Sequence, residues 1–137
     1  MKNRSMPSGD VIPEIPYSNV ADAAAWLCAA FGFRERLRIA DHRIQMSIGS
    51  GSIVAVQADT PIGTSSVMVR VPDIDAHYRV AFAHGAQVSG QPTTFPYGER
   101  QYSAHDLAGH RWVFSQSVTD VDPADWGGEL MNGADAA

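Results

Sequence analysis

Residues 97–116 read YGERQYSAHDLAGHRWVFSQ, and this stretch decides how the rest of the chain is read. Two runs rich in aromatic and β-branched residues, Arg100 to His105 and Arg111 to Gln116, flank Asp106-Leu107-Ala108-Gly109. An Asp can start a turn by bonding its own backbone, and a Gly tolerates positive φ, so the spacing predicts an antiparallel hairpin. Its second strand carries Trp112-Val113-Phe114, and the residue at Val113 bears on chemistry as well as on fold.

Working outward, the same unit occurs twice. Val20-Ala21-Asp22 opens a segment, Ala23 to Phe31, without Pro or Gly until Gly32. Asp22 is the expected N-cap, Gly32 the left-handed residue past the end, and Leu27, Ala30 and Phe31 share one face. About fifty residues later Val71-Pro72-Asp73 opens a second helix, Ile74 to His84, closed by Gly85, with Ile74, Tyr78, Ala81 and Phe82 along its apolar face. Pro72 holds Val71 extended, as a strand entering a helix requires. Strand candidates surround each helix: Val11 to Asn19, Phe33 to Ile39, Arg43 to Ile48 and Ser52 to Gln57, then Ser66 to Arg70, Gln87 to Thr94, Arg100 to His105 and Arg111 to Gln116. The order is βαβββ, twice. The expected fold class is α+β, a single domain of two tandem modules, residues 11–58 and 65–116, joined by Asp59 to Thr64. A unit present only twice is a duplicated half-domain and not a solenoid. Each module would leave one sheet face concave, to be met by the other, by a ligand or by a second chain.

Composition sets the outer limits. A chain of 137 residues can bury one core and is too short for two ordinary domains. No apolar run approaches the ~18 residues a membrane span needs. Residues 1–10 read as a flexible N-terminus with no apolar segment behind Lys2 and Arg4, so no secretory signal is expected and the location expected is cytoplasmic. The one cysteine, Cys28, cannot form an internal disulfide and has no cationic neighbour to make it a nucleophile. A formal net charge of -5 and the absence of a clustered basic patch argue against nucleic acid. Residues 117–137 form an acidic tail, with Asp120, Asp122, Asp125, Glu129 and Asp135 and no Lys or Arg, in which Trp126 should find a surface to cover.

The duplicated order, the opening PYSNVADAAAWLCAAFGF and the closing hairpin together resemble the vicinal oxygen chelate superfamily, which includes glyoxalase I, extradiol dioxygenases, fosfomycin resistance enzymes and bleomycin resistance proteins. The resemblance covers Val11 to Gln116. Where that superfamily does chemistry, the resemblance implies a divalent metal held on the concave faces. The implied ligand positions fall on Ile15, at a fixed distance before Val20-Ala21-Asp22, on Ser66, before Val71-Pro72-Asp73, and on Val113, after Gly109-His110. Hydrocarbon side chains have no lone pairs and a neutral Ser hydroxyl is a poor ligand alone, so no metal and no other cofactor is expected. Glu14 is the one strong donor next to any of these positions. His77 and His84 stand seven apart on the second helix, about 10 Å along its axis and too far to share a metal. His105 and His110 bracket the final turn and would be the place for a surface metal.

Alternation then predicts the lining of the concavity: Ile15 and Tyr17; Ser66, Met68 and Arg70; Gln101, Ser103 and His105; Arg111, Val113 and Ser115. Trp112, Phe114, Val67, Val69 and Tyr102 would face the helices. The candidate ligand-binding set is Tyr17, Ser66, Met68, Arg70, Tyr97, Gln101, Ser103, His105, Arg111 and Val113, with Tyr97 on a loop over the mouth. Apolar walls with a few hydrogen-bonding groups suit a small-molecule pocket. The resemblance to the metal-free bleomycin-resistance-like branch implies a homodimeric binding protein that sequesters an aromatic or amphiphilic compound. The alternative is a glyoxalase- or dioxygenase-type enzyme using displaced ligands such as Glu14, His105 or His110. Cofactor-free isomerase or lyase chemistry would need a base, for which His105 and Glu99 are the candidates.

Overall fold

The computed structural model of the chain describes residues 3–59 and 65–130. The first module runs β1 (Glu14–Tyr17), α1 (Val20–Phe31), β2 (Arg34–Ile39), β3 (Arg43–Ile48) and β4 (Gly51–Gln57). The second runs β5 (Ser66–Arg70), α2 (Ile74–Ala83), β6 (Gln87–Val88), β7 (Thr93–Thr94), β8 (Glu99–His105) and β9 (Arg111–Ser117). The fold is α+β, as expected, and the two sheets repeat one topology: β1-β4-β3-β2, and β5-β9-β8 with β6 and β7 both on β8. Gln87 to Thr94, expected as one strand, is split in two because Gly90 and Pro92 interrupt the pairing between Val88 and Thr93. β1 is also shorter than expected, starting only at Glu14.

Helix α1 begins three residues earlier than its sequence suggests. Its N-cap is Asn19, whose side chain accepts from the Asp22 N–H at 3.0 Å, so Asp22 lies in the first turn, where a carboxylate suits the positive end of the helix. Asp73 caps α2 as expected, through the Ala76 N–H at 3.1 Å. Each helix start is also held from the last strand of its own module. Gln57 Oε1 accepts from Val20 N at 3.0 Å, and Gln116 Oε1 accepts from Ile74 N at 2.9 Å. Asn19 therefore corresponds to Asp73 and Gln57 to Gln116, which sets the alignment of the two modules.

Both helices and one face of each sheet share a single core. Ile15, Tyr17, Ile44, Met46, Ile53 and Ala55 come from the first sheet, and Val69, Tyr102, Ala104, Trp112 and Phe114 from the second. Leu27, Ala30 and Phe31 of α1 are buried among them, while on α2 Ile74 and Ala81 are buried and Phe82 is exposed, against expectation. Phe31 packs edge-on to both Trp112 and Phe114, at 5.8 and 4.8 Å between ring centroids.

The hairpin holds the modules together. The Asp106 carboxylate is buried and accepts four hydrogen bonds. Ala108 N and His110 N bond Oδ1 at 2.9 and 3.0 Å, and Tyr17 Oη and Trp112 Nε1 bond Oδ2 at 2.6 and 3.0 Å. The turn bond anticipated for this Asp is therefore present, together with a link from β1 of the other module. His110 is buried too, its Nδ1 at 3.1 Å from Ser65 Oγ and its Nε2 donating to the Pro16 carbonyl at 2.7 Å.

Candidate functional site

The faces of the two sheets turned away from the helices are treated differently. On the first, residues 3–10 lie across the strands. Gln45 Nε2 donates to Ser5 O at 2.9 Å, Arg36 Nη2 to Arg4 O at 2.7 Å, and Ser8 Oγ is 3.4 Å from Ser52 Oγ. Beneath this strap Gln45, Ser52 and Val54 are buried, although alternation turns them away from the helices. The segment expected as a loose N-terminus is thus bonded to the first sheet.

The second face is open. Ser66, Met68 and Arg70 on β5 lie beside Arg111, Val113 and Ser115 on β9, and these lie beside His105, Ser103 and Gln101 on β8. Val113 is central, between Met68 and Ser103. Nine of the ten candidate residues belong to this face or its rim. Tyr17 does not. With Ile15 it faces the core at 1% exposure, because β1 turns its odd-numbered residues toward α1, and its hydroxyl is committed to Asp106. Burial and the neighbouring carboxylate hold the Tyr17 phenol far above its ordinary pKa.

A concavity of about 230 Å³ lies on this face, lined by Ser89, Phe95, Gln101, Ser103, Arg111 and Val113 among others. Its polar groups are fixed by each other. Tyr97 Oη donates to Gln101 Oε1 at 3.1 Å, Gln101 Nε2 to Ser115 Oγ at 3.0 Å, and Ser115 Oγ to Glu99 Oε1 at 2.6 Å. Ser103 Oγ lies 2.5 Å from Ser89 Oγ, and Arg111 Nη1 donates to Ser66 Oγ at 3.0 Å. At the rim Phe95 stacks on Tyr97 at 5.4 Å and 3°, and Tyr97 meets Trp126 at 5.3 Å. Trp126, on a short 3₁₀ turn Pro123–Trp126, thus covers the back of the rim. Phe95 escaped the sequence reading because a Phe between Thr94 and Pro96 carries no alternation signal.

The groups considered for chemistry are dispersed. Although partial burial pushes the Glu99 carboxyl up, hydrogen bonds from Ser115 and Ser117 and the charge of Arg70 outweigh it and leave its pKa below the usual value, which makes it a weak base. Both nitrogens of His110 are occupied inside the protein, and His105 is exposed at the strand end opposite Arg111. Glu14 pairs with Arg43. The Cys28 thiol is raised by burial, the opposite of activation.

A sequence model of the Glyoxalase/Bleomycin resistance protein/Dioxygenase superfamily matches residues 12–114. The chain belongs to that superfamily. Solved structures of the glyoxalase/bleomycin resistance type share its fold. TioX from Micromonospora sp. ML1 is 28% identical, with a TM-score of 0.69 over 83% of this chain and 100% of that one. A lactoylglutathione lyase from Agrobacterium tumefaciens is 16% identical, with a TM-score of 0.65 over 80% and 94%. A glyoxalase/bleomycin resistance protein/dioxygenase from Nocardioides is 13% identical, with a TM-score of 0.68 over 92% and 91%. No curated protein sequence matches the chain.

The superfamily's metal can be tested against the residues present. Aligning the modules on Asn19 and Asp73 moves the first implied ligand position from Ile15 to Ile12, the counterpart of Ser66, and aligning Gln57 with Gln116 makes Val54 the counterpart of Val113. Ile12, Val54, Ser66 and Val113 together offer one neutral hydroxyl oxygen. Among the described residues no three His, Cys, Asp or Glu side chains gather as a metal site would require. This donor set does not fit a divalent ion.

Proposed function

We propose that this superfamily member is a metal-free, cytoplasmic binding protein that sequesters a small aromatic or amphiphilic compound, working as a homodimer. The observation that carries the reading is the second sheet face, where hydrocarbon stands at Val113, the surrounding Gln101, Ser103 and Arg111 are held by hydrogen bonds, and Phe95 lines the same concavity. Apolar floor, fixed polar groups and an aromatic rim are what a pocket for a planar ligand needs, and sequestration requires no reaction. The exposed Met68 supports pairing of two chains, since it leaves an adaptable apolar surface beside the pocket. No helix among the described residues is long and apolar enough to cross a membrane.

The test is a titration of the purified chain with a panel of aromatic antibiotics and dyes, followed by tryptophan fluorescence and calorimetry, alongside metal analysis of protein prepared without chelators. Saturable binding of at least one compound at one site per chain, weakened by Gln101→Ala and Val113→Glu, is the expected result. Stoichiometric zinc, manganese or iron with turnover of a glyoxalase or dioxygenase substrate would overturn it.

A further inference from the structure

The internal repeat creates two equivalent junctions between the modules, and they are filled differently. At one, the end of β1 meets the β8–β9 turn, and Tyr17, Asp106 and His110 plug the space, with the Tyr17 and His110 rings 5.0 Å apart at 82°. At the other, the end of β5 meets the β3–β4 turn. In the alignment set by the two glutamines His110 corresponds to Gly51, and in the alignment set by the helix caps Asn19 and Asp73 Tyr17 corresponds to Val71. The β3–β4 turn, Ile48-Gly49-Ser50-Gly51, therefore brings neither ring nor carboxylate to its junction. A cavity of about 480 Å³ remains there, walled by Phe33, Ile48, Ile53, Val67 and Val69. A Cβ added at Gly51 would meet only the Ile48 carbonyl, at 3.6 Å, so the space before the turn is open.

Donors that suit an anion border this cavity, among the carbonyls of the same strand edge. Arg70 stands at its margin, close enough for its charge to act on Glu99, yet makes neither an ion pair nor a side-chain hydrogen bond among the described residues. β5 is the edge of its sheet. Its bonds to β9 use alternate residues, with Ser65 O accepting from Arg111 N and Val71 N donating to Ser115 O, which turns the backbone groups of Ser66, Met68 and Arg70 to the open edge. A guanidinium and free peptide N–H groups beside hydrocarbon walls match an anionic head on an apolar body.

We propose that this junction is a second ligand site, separate from the pocket around Val113, for an amphiphile with one anionic group. The volume lies within the range of small-molecule pockets. Its lining has no residue in common with the pocket around Val113, although Met68 and Arg70 also belong to the open sheet face.

The test is amide chemical-shift mapping of the ¹⁵N-labelled full chain with 8-anilinonaphthalene-1-sulfonate, and with uncharged N-phenyl-1-naphthylamine for comparison. The expected result is saturable shifts at Gly49, Ser50, Gly51, Met68 and Arg70. Gly51→Phe should abolish them by filling the cavity. Arg70→Gln, at an exposed position that leaves folding intact, should weaken the sulfonate at least tenfold and leave the neutral compound unchanged. Shifts confined to β8 and β9, no shifts at all, or equal loss of both compounds in Arg70→Gln would overturn the proposal. If Gly51→Phe does not fold, the Arg70→Gln comparison and the mapping decide.

Discussion

The Asp106 carboxylate has exchanged its water for four protein donors, two from its own turn and two from Tyr17 and Trp112. Removing an acceptor from such a place leaves buried donors unpaired, each costing about 1–3 kcal/mol. Asp106→Ala should therefore lower unfolding free energy by about 3 kcal/mol or more in urea titration, whereas Tyr17→Phe, which removes one of the four donors, should cost about 1 kcal/mol. His77 supplies a pH dependence. It lies among Phe31, Tyr102 and Phe114, donates from Nε2 to the Phe31 carbonyl at 3.0 Å, and takes the Tyr102 hydroxyl at Nδ1 at 2.5 Å. Burial lowers its pKa, and the nearest titratable group, Tyr102, is neutral because burial and then Tyr78 raise its own. A lowered folded pKa means the unfolded chain binds the proton first. The His77 contribution is thus complete above about pH 6.5 and is lost as pH falls below it. Stability measured from pH 7.5 to 5 should fall on the acid side, and His77→Gln should flatten that slope.

At the scale of elements, the helix starts show what can be read from a sequence and what cannot. Asp73 was legible as a cap because Pro72 isolates it. At the first helix Asn19 and Asp22 both suit a cap and Val20 suits a strand, so only the fold shows that the chain turns at Asn19. Asn19→Ala should accordingly cost about 1 kcal/mol, and Asp22→Ala a few tenths, by thermal denaturation of the two variants. A three-residue difference in the helix start reverses the faces of β1, which is why Ile15 and Tyr17 point into the core and not into the concavity. The β8–β9 hairpin had no such ambiguity. Its turn is marked by Asp106 and Gly109 and its alternation is unbroken, so the pattern alone places Gln101, Ser103, Arg111 and Val113 on one face. Phe95 and the N-terminal strap were not legible, because each is positioned by a distant element: Phe95 by Tyr97 and the Trp126 turn behind it, the strap by Arg36 and Gln45.

For the whole molecule, the decisive asymmetry is that one sheet face is covered by its own N-terminal segment while the other is open. The open face carries Met68 at 64% exposure beside the half-buried Val113, with polar residues on either side. A central apolar patch within a polar margin is the form of an interface core, and a face that meets its own copy about a two-fold axis needs only one such patch. Met68 is then the sensitive position, because pairing would bury it at the centre. Met68→Glu places a carboxylate there, and leaving a buried charge unpaired costs several kcal/mol, enough to shift a dissociation constant by well over tenfold. Sedimentation velocity across a concentration series should show a dimer for the native chain and a monomer for Met68→Glu, with Leu107→Glu, an exposed turn residue outside the sheet face, unchanged. A native chain that sediments as a monomer at every concentration would mean that the open face serves the ligand alone.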